Sequence, residues 1–167
     1  MKGLSFFVDN ELFAVDINRV QKVARKMAVT HVPASPDAVV GIVNVKGRVI
    51  TIFCLNELLG RKGKYGRTPV TGTVNAVIFK SISGDEDQMG LSIDKSGELI
   101  EIDDDTICLP ALATGAEENF CILGIAELND RLYRIIDIDS IINRYKNNGE
   151  KTAENISSGG IDNEELA

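Results

Sequence analysis

Tryptophan is absent from this 167-residue chain, aromatic residues make up only 5% of it, and there is a single histidine, His31. Any core must therefore be aliphatic, and the 44% apolar content is enough for one domain or for two small ones sharing a core. Positive charge is in deficit. A net charge of −7 argues against the nonspecific phosphate contacts of a nucleic-acid-binding protein. No stretch approaches the roughly 20 apolar residues of a membrane span. Met1-Lys-Gly-Leu-Ser runs directly into a strand without a signal-type apolar run, so the expected location is cytoplasmic, with no direct membrane insertion. Cys54, Cys108 and Cys121 are odd in number and form no CxxC pair; they read as buried thiols in a reducing compartment.

Patterns of catalysis and metal binding are missing too. His31 sits beside prolines, with no nucleophile elbow or HExxH to accompany it. The segment 85–90 opens like a calcium loop, but Met89 replaces an oxygen ligand and Ser96 stands where the bidentate Glu belongs. Asp103-Asp-Asp105 reads as solvated loop charge. The glycine-rich basic loop 60–67 lacks GxxxxGK[ST] and GxGxxG; it is a solvated connection or a contact for an acidic partner. Other carboxylates fall in turns and at helix starts, where capping accounts for them. No enzyme, no cofactor and no metal site is expected; a small β-barrel enzyme or nucleotide-binding domain is the reading these absences disfavour.

What the chain does contain is a repeat. In Val32 to Gly60, two prolines hold the backbone extended. A β-branched run from Gly41, a turn at Lys46-Gly47, a strand from Arg48 to Phe53 and one helical turn stopped by Gly60 follow. Residues 124–142 align on 41–59 without a gap at an offset of 83 (124 − 41): Gly41 on Gly124, Arg48 on Arg131, Ile52 on Ile135. Asp16 corresponds loosely to Asp94, which extends the repeat over each half.

The remaining elements are short. Leu4 to Val8 and Leu12 to Val15 predict a hairpin turning at Asp9-Asn10. Ile17, Val20 and Val23 fit both a helical turn and a strand, and a turn feeding a strand is the preferred reading. Residues 74–81, 89–93 and 98–102 predict strands. Ile138, Ile141, Ile142 and Tyr145 have the spacing of a C-terminal helix docked on one face and opened by Asp137 or Asp139. Residues 147–167 carry no apolar pattern and predict a disordered tail. The sequon Asn155-Ile-Ser157 has no meaning without secretion. Strand-rich halves without catalytic groups point to a binding module.

Four stretches carry a family likeness: Phe13 to Val23, Val32-Pro through Lys46-Gly47, Gly90-Leu-Ser-Ile-Asp94, and Gly124 through Ile142. Over residues 4–145 the chain resembles the CheW-like domain, the adaptor that couples bacterial chemoreceptors to the histidine kinase CheA. The resemblance implies an all-β fold of two packed, five-stranded SH3-like barrels, expected over roughly 15–80 and 81–145 with the N-terminal strand shared. It implies a non-enzymatic chemotaxis adaptor whose partners are methyl-accepting chemoreceptors, bound in a groove between barrels, and the regulatory domain of CheA, bound at a barrel end. A divergent module serving another signalling pathway is the alternative. Val20, Lys22, Gly41, Lys46 and Leu99 fall where the family places partner-binding residues. Val20 and Leu99 would line the groove, and Gly41 would permit close approach because it lacks a Cβ. The chain departs from the family pattern at Lys22, where many members are acidic, at Lys46, where Arg is usual, and at Thr51 and Cys54, where Pro and Asp are usual.

Overall fold

The structure is a computed structural model that describes residues 1–61, 72–81, 88–109 and 121–146. Its strands are β1 (Lys2–Val8), β2 (Glu11–Asp16), β3 (Val20–Ala28), β4 (Val39–Val45), β5 (Arg48–Phe53), β6 (Thr73–Phe79), β7 (Met89–Ile93), β8 (Lys95–Glu101), β9 (Ile122–Leu128) and β10 (Arg131–Ile136). Helix α1 (Leu55–Leu58) follows β5, and helix α2 (138–146) follows β10. A 3-10 turn at Ile17–Arg19 leads into β3, as the preferred reading of that segment required.

Three hairpins turn on two residues with left-handed backbones: Asp9-Asn10 (φ 49° and 64°), Lys46-Gly47 (51° and 83°) and Asn129-Asp130 (51° and 61°). This turn geometry matches the twist of an antiparallel pair, and Asn, Asp and Gly adopt it with little strain. Gly60, left-handed at φ 74°, ends the short helix as its position predicts. Asp137 opens α2: its carboxylate accepts the Ser140 backbone N–H (3.2 Å) and hydroxyl (2.7 Å).

The strands form two five-stranded sheets, ordered β8-β1-β2-β10-β9 and β3-β6-β7-β5-β4. They sort otherwise than by the division at 80/81. The first sheet takes β1 and β2 from the N-terminus and β8 to β10 from the C-terminus, while the second holds β3 to β7. Each half of the chain has five strands in the same order, but its first hairpin pairs with the last three strands of the other half. Parallel contacts of β10 with β2 and of β5 with β7 close this exchange.

The repeat itself holds. β4, β5 and α1 start 83 residues before β9, β10 and α2 (122 − 39, 131 − 48, 138 − 55) and occupy the same sheet positions. Even the irregularities agree, with a register shift between Val39 and Gly41 in one hairpin and between Ile135 and Ile136 in the other. Bridges Thr30↔Ile42 and Cys108↔Ile125 bring the segments after β3 and β8 onto β4 and β9, curling each sheet towards closure.

Strand alternation then builds three cores. Leu4, Phe6, Phe13 and Val15 on one sheet meet Val77, Phe79, Leu91 and Ile93 on the other in a shared central core, capped by Leu55, Ile138, Ile141 and Ile142 of the helices and by Leu59 just after α1. The opposite faces fill the barrels separately, with Ala14, Ile100, Tyr133 and Ile135 in one and Val43, Ile50, Ile52 and Ile78 in the other. Tyr145, expected on the buried face of α2, is partly exposed and sets its ring edge-on to Phe53 at 4.6 Å. The tail 147–167 and all of the basic loop except Gly60 and Arg61 lie outside the described residues.

Candidate functional site

The first strand of the second sheet, β3, and the first of the other, β8, are edge strands, and they meet at the junction of the two barrels. The Arg25 guanidinium donates to Ser96 Oγ across this seam at 3.4 Å. Residues directly opposite in a sheet project to the same face. Val20 lies opposite Phe79, and Leu99 lies opposite Leu4. Both partners belong to the central core. Val20 and Leu99 therefore stand on the inter-barrel faces of their sheets, each on an edge strand.

Their burial differs. Val20 is half-buried and packs against the central core, whereas Leu99 is 72% exposed, a large apolar side chain left to water. Lys22 is exposed on β3, next to a bulge that shifts the register after Val20. Gly41 and Lys46 lie elsewhere, on β4 and its hairpin, at the far end of the strand order. Gly41 is buried, and the close approach it allows is made by the chain's own Thr30: a Cβ there would lie 2.5 Å from the Thr30 carbonyl oxygen. Lys46 is exposed at the hairpin tip, where the Asn44 side chain holds the turn by accepting the Gly47 N–H at 2.9 Å.

Between β3 and β8 lies a cleft of about 300 Å³ lined by Val23, Arg25, Asn75, Ile93, Lys95 and Ser96. Val23 and Ile93 belong to, or pack on, the central core and give the cleft an apolar side. Sequence reasoning assigned none of these six residues to a site. Cleft residues come from four strands brought together by the hairpin exchange, which no local pattern announces. Lys95 lies over the Phe7 ring at 4.5 Å from its centroid.

Polar ties brace the seam. Arg19 Nε pairs with Asp139 Oδ1 of α2 at 2.9 Å. Asn56 donates to the Asp9 carboxylate, joining α1 to the first hairpin, and the Asp9 N–H donates to Asp94 Oδ2 at 2.7 Å. Arg61 pairs with Glu11, whose other oxygen lies 3.8 Å from Arg134. These contacts tie the two barrels together.

Among the described residues no three His, Cys, Asp or Glu side chains gather as metal ligands, and no helix is long and apolar enough to cross a membrane. His31 is exposed, just beyond the bridge at Thr30. Of the three thiols only Cys121 is fully buried. Cys54 is partly buried, and its desolvation pushes the thiol pKa up. Cys108, expected inside, is exposed, because it sits on the short bridging segment that closes the first barrel over β9.

Two curled five-stranded sheets around a shared core define an all-β, two-barrel protein, and its sequence matches the CheW-like domain model over residues 2–146. The chain belongs to the CheW-like domain family. It is 25% identical over 144 residues to the Chemotaxis protein CheW of Helicobacter pylori, covering 86% of this chain and 82% of that one. It is 25% identical over 139 residues to the Chemotaxis protein CheW of Rhizobium meliloti, covering 83% and 84%. The crystal structure of the scaffolding protein TtCheW from Thermoanaerobacter tengcongensis superposes with a TM-score of 0.65 at 27% identity, covering 81% of this chain and 88% of that one.

Proposed function

We propose that the chain is a non-enzymatic chemotaxis adaptor, a cytoplasmic scaffold that couples chemoreceptor tips to the regulatory domain of the histidine kinase CheA. Membership of the CheW-like family over nearly all of the described chain supports this reading. The observation that carries the mechanism is Leu99. A leucine 72% exposed on an edge strand, on the inter-barrel face of its sheet, offers apolar surface to a partner. In this mechanism the receptor's helical tip lays its apolar face along β3 and β8, covering Leu99 and the exposed part of Val20. Lys46 contributes charge at the barrel end that meets the kinase. Gly41 supports that end through closure of the barrel.

Titration of the chain with a receptor tip fragment and with the kinase regulatory domain tests the proposal. Burying Leu99 is worth roughly 1.5–3 kcal/mol, and an aspartate there adds a desolvation penalty. Leu99→Asp is expected to weaken tip binding at least about tenfold, or roughly 1.4 kcal/mol, while leaving the fold intact. Equal binding by parent and variant would remove Leu99 from the mechanism. Lys46→Ala is expected to weaken kinase binding mainly at low salt, since an exposed charge is readily screened. Val20→Asp is the poorer probe, because half of that side chain belongs to the core.

A further inference from the structure

The seam between β3 and β8 carries a charge that the chain as a whole does not. In a protein of net charge −7, residues 17–36 hold Arg19, Lys22, Arg25 and Lys26 and no carboxylate. Arg19 is paired with Asp139. The other three are exposed on β3, and Lys95 is exposed at the start of β8. None of Lys22, Arg25, Lys26 and Lys95 has an ion-pair partner among the described residues. Arg25 and Lys95 flank the cleft from its two sides, and the cleft lining contains two cations and no carboxylate. The neighbouring Asp94 carboxylate is outside that lining and accepts the Asp9 N–H.

We infer that this cleft selects an acidic segment of the docked partner: carboxylates reach Arg25 and Lys95 while the apolar face beside them covers Leu99. The inference rests on the proposed function and adds the chemistry of the partner to it. Charge complementarity argues for an acidic occupant. A basic partner is repelled by the two cations of this cleft, whereas an acidic one is attracted to them. The arrangement therefore sets both position and orientation. Val23 and Ile93 supply the apolar side, and Asn75 and Ser96 supply hydrogen-bonding groups between the cations.

The test uses the full chain and a receptor tip fragment from the same organism, titrated at 50 mM and 500 mM NaCl. The variants are Arg25→Glu/Lys95→Glu and the neutral Arg25→Gln/Lys95→Gln, each checked by thermal melting. An exposed ion pair contributes a factor of roughly 1.5–5 in affinity. Reversing two charges turns two attractions into repulsions, so the Glu variant is expected to bind at least about tenfold more weakly at 50 mM, with the Gln variant between it and the parent. At 500 mM the gap is expected to close, because the Debye length falls to a few ångströms. Undiminished or tighter binding by the Glu variant, or an unchanged salt dependence, overturns the inference while Leu99→Asp still reports on the function. Absence of tip binding by the parent at either salt overturns the function and the inference with it.

Discussion

Replacing Gly41 by alanine separates a residue that builds the barrel from one that touches a partner. A Cβ at position 41 would lie 2.5 Å from the Thr30 carbonyl oxygen, 3.1 Å from its carbon and 2.7 Å from Val29 Cγ2. Two of these atoms are backbone, so no rotamer change relieves the contact. The segment after β3 must move away, and it takes with it the two 2.9 Å hydrogen bonds between Thr30 and Ile42. Overpacking costs about 1–3 kcal/mol, and each weakened hydrogen bond about 0.5–1.5 kcal/mol. A loss of about 2–6 kcal/mol in a chain of this size lowers the melting temperature by about 4–24 °C. Gly124→Ala, whose Cβ would meet Ile107 and the Cys108 carbonyl (2.8 Å), should behave alike. Gly47→Asn is the control. Its position is open to solvent at φ 83°, and asparagine tolerates that conformation. It should melt within about 2 °C of the parent. Circular dichroism melts read the stability, and tip titration well below each transition reads the binding. An unchanged melting temperature for Gly41→Ala together with lost binding would refute this account and return Gly41 to the interface.

Because each sheet takes strands from both halves of the chain, the barrels should unfold together. Phe79→Ala, emptying a fully buried site in the shared core, should cost about 3–5 kcal/mol and leave a single transition by far- and near-ultraviolet dichroism; two separated transitions would contradict the exchange of hairpins. Tyr145→Ala should cost about 1–2 kcal/mol by removing the edge-on contact that seats α2 on Phe53; an unchanged urea midpoint would show that the helix is held without it. Iodoacetamide at pH 8 should label Cys108 first, Cys54 at least about tenfold more slowly, and Cys121 last. Burial raises the Cys54 pKa, so less thiolate is present at any given pH. Its labelling rate should keep climbing beyond the pH at which that of an exposed thiol levels off. Faster labelling of Cys54 than of Cys108 would be inconsistent with the fold.

The repeat was legible because it is local. Gly41 to Leu59 and Gly124 to Ile142 carry the same strand, turn and helix signals at one offset, and the structure gives them equivalent places. The two-residue turns at Asp9-Asn10 and Lys46-Gly47 and the cap at Asp137 were legible for the same reason. Which strands pair at long range was not. β1 and β2 join β8 to β10 through contacts such as Leu4↔Leu99, about 95 residues apart, and period-two alternation is indifferent to the identity of the neighbour. The site follows that division. Val20 and Leu99 came from the family likeness, and the structure adds that Leu99 is exposed while Val20 is half core. Arg25 and Lys95 look like ordinary surface charge until the exchange sets them on opposite sides of one cleft.

The most direct measurement is ternary: sedimentation of the histidine kinase with receptor-containing membranes, with and without this chain. If the chain is the adaptor, kinase should enter the pellet in proportion to the chain added, and Leu99→Asp should abolish that dependence while remaining folded. Kinase that sediments equally without the chain, or stays in the supernatant when the chain is saturating, would contradict the assignment.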